Sequence, residues 1–159
     1  MDLKKSVMFM AHIPLQDISN VVTTLLEYPS VKRYMVCGED KPYEHIHFLV
    51  EMTTKDYSAY AKRVFIDKYK LRGRAKKDLC RQYGKVKKIE DIYGAMCYTL
   101  KENNEKLRYT NLDPKVIKKL LEDSFKKQEV DKLYECMKTT TPYVHCTEHR
   151  YNRTVEPNV

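Results

Sequence analysis

The chain has 159 residues, of which 42% are hydrophobic, so it is long enough to bury one core and too apolar for wholesale disorder. Its formal net charge of +8 favours an anionic partner, and nucleic acid is the usual one. The sequence has no apolar run near the ~20 residues of a membrane span, no signal-peptide pattern and no P-loop motif, which together favour an intracellular protein.

The first half of the chain alternates between strand and helix patterns. Runs of alternating apolar residues predict strands over 6–13, 31–37 and 44–51. Helical spacing of apolar residues predicts one helix from Gln16 to Tyr28 and another that begins at Thr53 or Thr54. Gly38 is expected to open the turn between the second and third strands, which would make them an antiparallel hairpin.

The second half is predicted to add a basic run, a strand and two helices. Residues 70–77 form either a solvated loop or an edge that binds a phosphate backbone. The patterns that follow predict a strand over 81–89, a helix over 90–102 and a C-terminal helix that begins at Asp113. We therefore expect a core over 1–110, a helical extension over 111–138 and an irregular tail over 139–159. DNA-backbone contacts are assigned to six basic residues: Arg72, Arg74, Lys76, Lys77, Lys85 and Lys87.

The third predicted strand carries a His-x-His pair, His45 and His47. Side chains alternate along a strand, so both imidazoles project from one face, with Cα atoms about 6.6 Å apart. At that separation they can lean toward a single cation, while the apolar residues between and after them pack on the other face. The alternative is a pair of exposed histidines on the sheet surface.

A tyrosine on the 90–102 helix lies away from the apolar stripe. At about 100° per residue, Tyr98 is off the centre of the stripe that contains Met96 and Leu100. Lys101 follows three residues later, within side-chain reach on the same side of the helix.

The cysteines do not form a recognisable metal or disulfide framework. There are five of them, with no CxxC pair, so we expect free thiols. Near the C-terminus, Cys136, His145, Cys146 and His149 offer four possible zinc ligands, but their spacing matches no reliable zinc pattern. A surface tail is the favoured interpretation of that segment.

Taken in order, these motifs resemble those of the HUH endonucleases, in particular the replication-initiator (Rep) nuclease domain of small circular single-stranded DNA viruses. The resemblance covers roughly Ser6 to Lys101. It depends on a leading strand, a strand that ends in Gly-Glu-Asp, the His45-Ile46-His47 strand and the later Tyr98-Thr99-Leu100-Lys101. The family's first motif would fall on residues 9–12, where the match is poor.

The resemblance implies an α+β fold with a central five-stranded antiparallel sheet flanked by helices. It also implies Mg²⁺ or Mn²⁺ held by Glu39, His45 and His47, with Tyr98 as the nucleophile and Lys101 as its partner. Two other acids lie nearby. Glu44 would point to the opposite face of a regular strand, and Glu51 shares the histidine face but lies further along.

The function implied is that of a rolling-circle initiator. It would nick single-stranded origin DNA, at a stem-loop, form a 5′-phosphotyrosine and a free 3′-OH, and later rejoin strands. The helicase of such initiators is not present in this chain, which suggests either a nuclease domain of a longer protein or a compact helicase-free one. The compartment would be the host nucleus for a eukaryotic virus and otherwise the cytoplasm.

Two alternatives remain open from the sequence. One is a single-tyrosine transposase or relaxase of the same superfamily. The other is a non-catalytic, RRM-like nucleic-acid-binding module in which the histidines and tyrosines only stack bases.

Overall fold

The computed structural model describes residues 1–102 and 104–140, with side chains described through residue 137 apart from residue 103. Five strands are formed: β1 (Ser6–Ala11), β2 (Tyr34–Glu39), β3 (His45–Glu51), β4 (Tyr83–Lys85) and β5 (Arg108–Thr110). The helices are α1 (Ile18–Leu25), α2 (Thr54–Tyr60), α3 (Ile92–Thr99) and α4 (Pro114–Thr140). A π-helical segment, Ala61–Lys68, continues α2, and short 3₁₀ turns cover Leu3–Lys5, Leu15–Asp17 and Glu105–Leu107.

The strands form one antiparallel sheet in the order β4-β1-β3-β2-β5. This confirms the predicted fold class, α+β with a central five-stranded antiparallel sheet. Every residue of β3 is buried, because both faces of the sheet are covered at its centre. Within the described residues, no helix is long and apolar enough to span a membrane.

The larger core lies between the sheet and the α1–α2 layer. Phe9 and Phe48 stack there with ring centroids 4.5 Å apart, and the buried Tyr60 donates a hydrogen bond to the Val21 carbonyl at 2.9 Å. Alternation along β1 and β3 places Phe9, Phe48 and their neighbours at every second position on this face. Rings in such offset and edge arrangements add packing energy beyond the area they bury.

A smaller core covers the opposite face of the sheet, beneath α3 and the first turns of α4. Its fully or nearly fully buried members are Met35, Leu49, Met96, Leu100, Ile117 and Leu120. This is the face that carries the histidines, since His45, His47 and Leu49 alternate with Ile46 and Phe48 along β3.

The compact unit that contains the sheet spans Met1–Leu121, and a second unit begins at Glu122 within α4. The predicted core over 1–110 lies wholly within the first unit. Of the expected irregular tail, Thr139 and Thr140 are helical, whereas 141–159 lie outside the described residues.

Three local predictions were wrong. The 81–89 strand is much shorter, since only Tyr83–Lys85 pairs with β1 as a strand. The fifth strand, Arg108–Thr110, was not predicted at residue level, although it pairs with β2. Gly38 does not open a turn but continues β2 to Glu39, because Gly38 pairs with Ile46 of β3.

The fit at Gly38 leads to a stability prediction. A Cβ added there would lie 2.7 Å from Leu15 Cδ2, which would have to move, and 3.3 Å from Leu107 Cβ, which is fixed to the backbone and leaves little room. We expect Gly38→Ala to destabilise the protein by about 1–3 kcal/mol and to lower Tm by roughly 3–10 °C in thermal denaturation. Gly94→Ala is the matched control, because its new Cβ meets only the movable Asp91 side chain and alanine favours a helix. Equal Tm values for the two variants would contradict this account of Gly38.

Candidate metal centre

The pairing of β2 with β3 brings three metal-ligating side chains together. Glu39 lies directly opposite His45 in the register, and directly opposed residues share a face of the sheet. His45 Nε2 lies 3.3 Å from Glu39 Oε1, and His47 Nε2 lies 3.2 Å from Glu39 Oε2. The two Nε2 atoms are 3.1 Å apart. The predicted trio Glu39, His45 and His47 therefore forms one buried cluster that could bind a metal ion.

The backbone before β3 fixes the orientation of His45. Its Nδ1 lies 2.7 Å from the carbonyl oxygen of Tyr43, so Nδ1–H donates and the Nε2 lone pair is directed into the cluster. Histidine ligands of protein metal sites are commonly held in this way by a second partner.

The Glu39 carboxylate is poised for a cation. Burial raises the pKa of Glu39, but hydrogen bonding to His47 and the charges of His47, Lys101 and His45 outweigh it, so the pKa lies below its usual value. Oε2 is buried, and its contact with His47 Nε2 at 3.2 Å is too poorly aligned to be a full hydrogen bond. A buried, ionised oxygen without such a bond is costly unless a cation satisfies it.

The spacing of the three donors also fits an ion. With ligand bonds of about 2.1 Å, neighbouring ligands are about 3.0–3.4 Å apart for angles between 90° and the tetrahedral value. The observed separations of 3.1, 3.2 and 3.3 Å lie within that range. Two imidazoles and one carboxylate leave further coordination positions for oxygen ligands.

The rival acids lie outside the cluster. Glu44 accepts a hydrogen bond from the backbone N–H of Leu15 at 2.8 Å. Glu51, at the far end of β3, pairs with Arg33 at 2.6 Å and accepts from the backbone N–H of Asp2 at 3.0 Å. Cys37 is opposite His47 in the register, and burial raises the pKa of its thiol to about 12.

Helix α3 places Tyr98 against this cluster. Its ring packs on that of His47 with centroids 5.5 Å apart and an interplanar angle of 85°. Tyr98 is 49% exposed, in agreement with its predicted place off the apolar stripe, whereas Met96 and Leu100 are buried. The Tyr98 ring therefore packs against one of the three ligands, and the residue is half exposed to solvent.

Lys101 links Tyr98 to the cluster. Its ammonium lies 4.1 Å from the Tyr98 ring centroid and 3.5 Å from Glu39 Oε1. Burial lowers the pKa of Lys101, but hydrogen bonding to Tyr98 and the charge of Glu39 outweigh it, so the pKa is above its usual value. The lysine therefore stays charged next to the phenol.

The six basic residues assigned to DNA are not gathered around this cluster. The Arg72 guanidinium donates to the Cys80 carbonyl at 2.9 and 3.1 Å and so holds its own loop together. Lys85 pairs with Phe9 in the register, which places it on the face opposite the histidines. Arg74, Lys76, Lys77 and Lys87 are exposed. Of the possible zinc ligands near the C-terminus, Cys136 is exposed, and His145, Cys146 and His149 lie outside the described residues.

Three residues near the cluster escaped the sequence analysis. The His12 and Tyr43 rings lie 4.4 Å apart and 6.4 and 5.9 Å from the His45 ring. The Arg81 guanidinium lies over Gly84 of β4, two strands from His47, so that a Cβ on Gly84 would be 2.7 Å from its Cζ. The register of β4 against β1 would have helped to locate them, and no local residue pattern predicts that register.

Comparisons with known proteins do not assign this chain to a family. A scan against models of known protein families finds no match, and a search of curated proteins finds no similar sequence.

Proposed function

We propose that this protein is a divalent-metal-dependent endonuclease and strand transferase that acts on single-stranded DNA through Tyr98, as the HUH replication initiators do. The observation that carries the proposal is the position of the Tyr98 ring, 5.5 Å from the ring of a histidine in the Glu39–His45–His47 cluster. Phosphodiester transfer needs a nucleophile close to a bound metal ion, and Tyr98 lies close to side chains that could bind one on a basic protein. The expected substrate is origin DNA, at a stem-loop.

The proposed ligands are His45 Nε2, His47 Nε2 and a Glu39 oxygen, and the ion is Mg²⁺ or Mn²⁺. When bound, this ion supplies Lewis-acid polarisation of the scissile phosphoryl group. The chain supplies a fixed geometry, because Tyr43 holds His45 through its carbonyl and the strand pairing holds Glu39. A rigid cluster avoids reorganisation when charge develops in the transition state.

Tyr98 is the proposed nucleophile. Its phenol oxygen forms a bond to phosphorus while the bond from phosphorus to the 3′ oxygen breaks, and the leaving oxygen gains a proton as the phenol loses one. The products are a 5′-phosphotyrosine and a free 3′-OH, with no other reactant consumed. The reverse reaction rejoins strands, since the phosphotyrosine bond retains the energy of the bond that was broken.

Lys101 is proposed to favour the phenolate form of Tyr98. A charged ammonium beside a phenol stabilises negative charge as it develops on the oxygen. The same ammonium lies 3.5 Å from Glu39, so it occupies the position of a counter-cation for that carboxylate.

A purely base-stacking role for the histidines is less well supported. His45 and His47 are only 6% and 7% exposed, so neither ring offers an open face to a nucleobase. Their Nε2 atoms are directed at each other and at a carboxylate, which suits a cation better than a base.

The role of Lys101 gives a kinetic prediction. We expect Lys101→Met to slow adduct formation about 10- to 100-fold, with partial recovery in Lys101→Arg. Mn²⁺ affinity should not fall, because Glu39 loses a competing cation. Lys106→Met, at an exposed lysine nearby in the chain, is the control for a general loss of charge. A parallel loss of Mn²⁺ affinity would instead assign Lys101 to the support of the metal ligands.

The proposal is tested by covalent capture. The protein is incubated with Mn²⁺ and a library of single-stranded stem-loop oligonucleotides whose loops are randomised, and adducts are separated in SDS. An adduct that forms with Mn²⁺, does not form with EDTA and is digested to phosphotyrosine is the expected result. Binding of the library without any metal-dependent adduct would refute the proposal and favour a binding module. Enrichment of element-end hairpins over origin-like loops would favour the transposase alternative.

A further inference from the structure

A groove of about 390 Å³ lies at the start of β1, away from the metal ligands. It is formed by the N-terminal 3₁₀ turn, the first half of β1 and the segment that follows β4. Four lysines line it: Lys4, Lys85, Lys87 and Lys88. Among the described residues, the lining contains no aspartate or glutamate.

The charge of this lysine groove is poorly compensated. Lys88 pairs with Glu90 at 3.8 Å, but both side chains are about 80% exposed, and such surface pairs are weak. Within the described part of the chain, Lys4, Lys85 and Lys87 have no carboxylate at ion-pair distance. Among the residues that the structure describes, four lysines and no acidic residue line this groove, so it favours an anionic ligand with several charges.

The walls of the groove are apolar between the lysines. Val7, Met8, Val86 and Ile89 contribute to the lining together with the stems of the four lysines. A ligand with a flat apolar part and regularly spaced anionic groups suits such a surface. Single-stranded nucleic acid has this chemistry, because its bases are free to contact apolar walls while its phosphates meet the ammonium groups. In duplex DNA the bases are paired and stacked inside, so only phosphates would be satisfied.

The groove lies at an end of the sheet and takes lining residues from both faces: Val7 and Lys85 from the α1–α2 face, and Met8 from the histidine face. Met10 lies opposite His47 of β3 on one side and opposite Gly84 of β4 on the other, so these three positions form one row across the sheet. Met8 lies in the next row, where it accepts the backbone hydrogen bond of Val86 at 2.8 Å and lines the groove. Met8 and Met10 are only partly buried. Met8 therefore lies two residues along β1 from the row that contains His47.

We propose that the lysine groove binds single-stranded DNA at a distance from the bond that Tyr98 attacks, which rests on the proposed function for the identity of the substrate. The groove anchors the strand and contributes affinity, whereas the metal cluster and Tyr98 carry out the chemistry. This assignment replaces the basic loop over 70–77 as the main contact to the strand.

The test separates binding from reaction. All four groove lysines are changed to glutamine in a Tyr98→Phe background, and binding of a fluorescent oligothymidine of roughly 30 nucleotides is measured by anisotropy across a salt series. The control changes four exposed lysines of α4 to glutamine: Lys115, Lys118, Lys126 and Lys127. We expect at least a roughly tenfold loss of affinity near 0.1 M salt and a salt slope reduced by about 2–3 for the groove variant. The control should change less than about twofold in affinity.

Equal effects in the groove and control variants, or equal competition by a duplex of the same length, would overturn the inference. Circular dichroism checks that both variants are folded. Adduct formation is measured separately, with Tyr98 restored, at a saturating concentration of a stem-loop captured in the covalent assay, so that affinity does not limit the rate. An unchanged rate at saturation together with weakened binding of the oligothymidine is the expected result. Groove-dependent binding without any adduct in the parent protein would refute the proposed function but support the groove. An adduct together with groove-independent binding would support the proposed function but refute the groove.

Discussion

Replacing Tyr98 with phenylalanine should abolish the covalent adduct with single-stranded DNA, a loss of at least about 10³-fold in the rate of strand cleavage. The substitution removes only the phenol oxygen. The ring that packs on His47 and the cation–π contact from Lys101 depend on the aromatic ring and are retained. Mn²⁺ affinity and DNA affinity should therefore change little, so the variant isolates the chemical step.

Tyr93→Phe provides the matched control. Tyr93 lies on the same helix, five residues before Tyr98, and is 42% exposed, close to the 49% of Tyr98, so it tests whether any exposed tyrosine of α3 can react. Its variant should form the adduct at the parental rate. The two variants are compared by SDS-resistant capture of a labelled oligonucleotide with time. Retention of the adduct in Tyr98→Phe, or its loss in both variants, would exclude Tyr98 as the specific nucleophile.

Removal of His47 should have the second large effect. His47→Ala deletes one of three donors and leaves Glu39 with one fewer partner for its charge. We expect Mn²⁺ affinity to fall at least about 100-fold, since even residues that only support metal ligands contribute 10- to 100-fold. Strand cleavage should fall in parallel at limiting Mn²⁺. Isothermal titration and Mn²⁺ electron paramagnetic resonance measure the binding directly.

His12→Ala distinguishes a ligand from a neighbouring histidine. The His12 ring lies 6.4 Å from that of His45, but His12 is not part of the Glu39–His45–His47 cluster. Burial and the charges of His45 and Arg72 lower the pKa of His12. We expect its variant to bind Mn²⁺ with the parental affinity. His45→Ala is included as a second ligand variant. Because both histidines are buried, circular dichroism is used to show that both variants are folded. Parental Mn²⁺ affinity in both ligand variants would refute the metal centre.

The central part of the site could be predicted because it depends on short-range rules. The two-residue period of a strand places His45 and His47 on one face, and helical spacing places Lys101 within reach of Tyr98. Glu39 and the roles of Tyr98 and Lys101 came from the resemblance, and the observed pairing of β2 with β3 puts Glu39 opposite His45. The five-stranded sheet itself came from the resemblance, since residue patterns identified only four strands.

The remaining features depend on contacts between distant parts of the chain. Strand β5 is only three residues long and exists because Thr110 pairs with Met35, far away in sequence. Gly38 remains in a strand because it pairs with Ile46, and Leu15 and Leu107 leave little room for a side chain there, neither of which its local sequence reveals. Lys85 could not be assigned to a face until the pairing of β4 with β1 fixed the register.

The lengths of the outer strands have a consequence for self-association. Both edges of the sheet are formed by its shortest members, since β4 and β5 each contain three residues, whereas the inner strands contain six or seven. Long, regular edges are the templates on which copies of a protein add strands and aggregate. Here each margin offers a second copy only a few backbone groups, so the long inner strands that hold the metal ligands are shielded from intermolecular β-pairing.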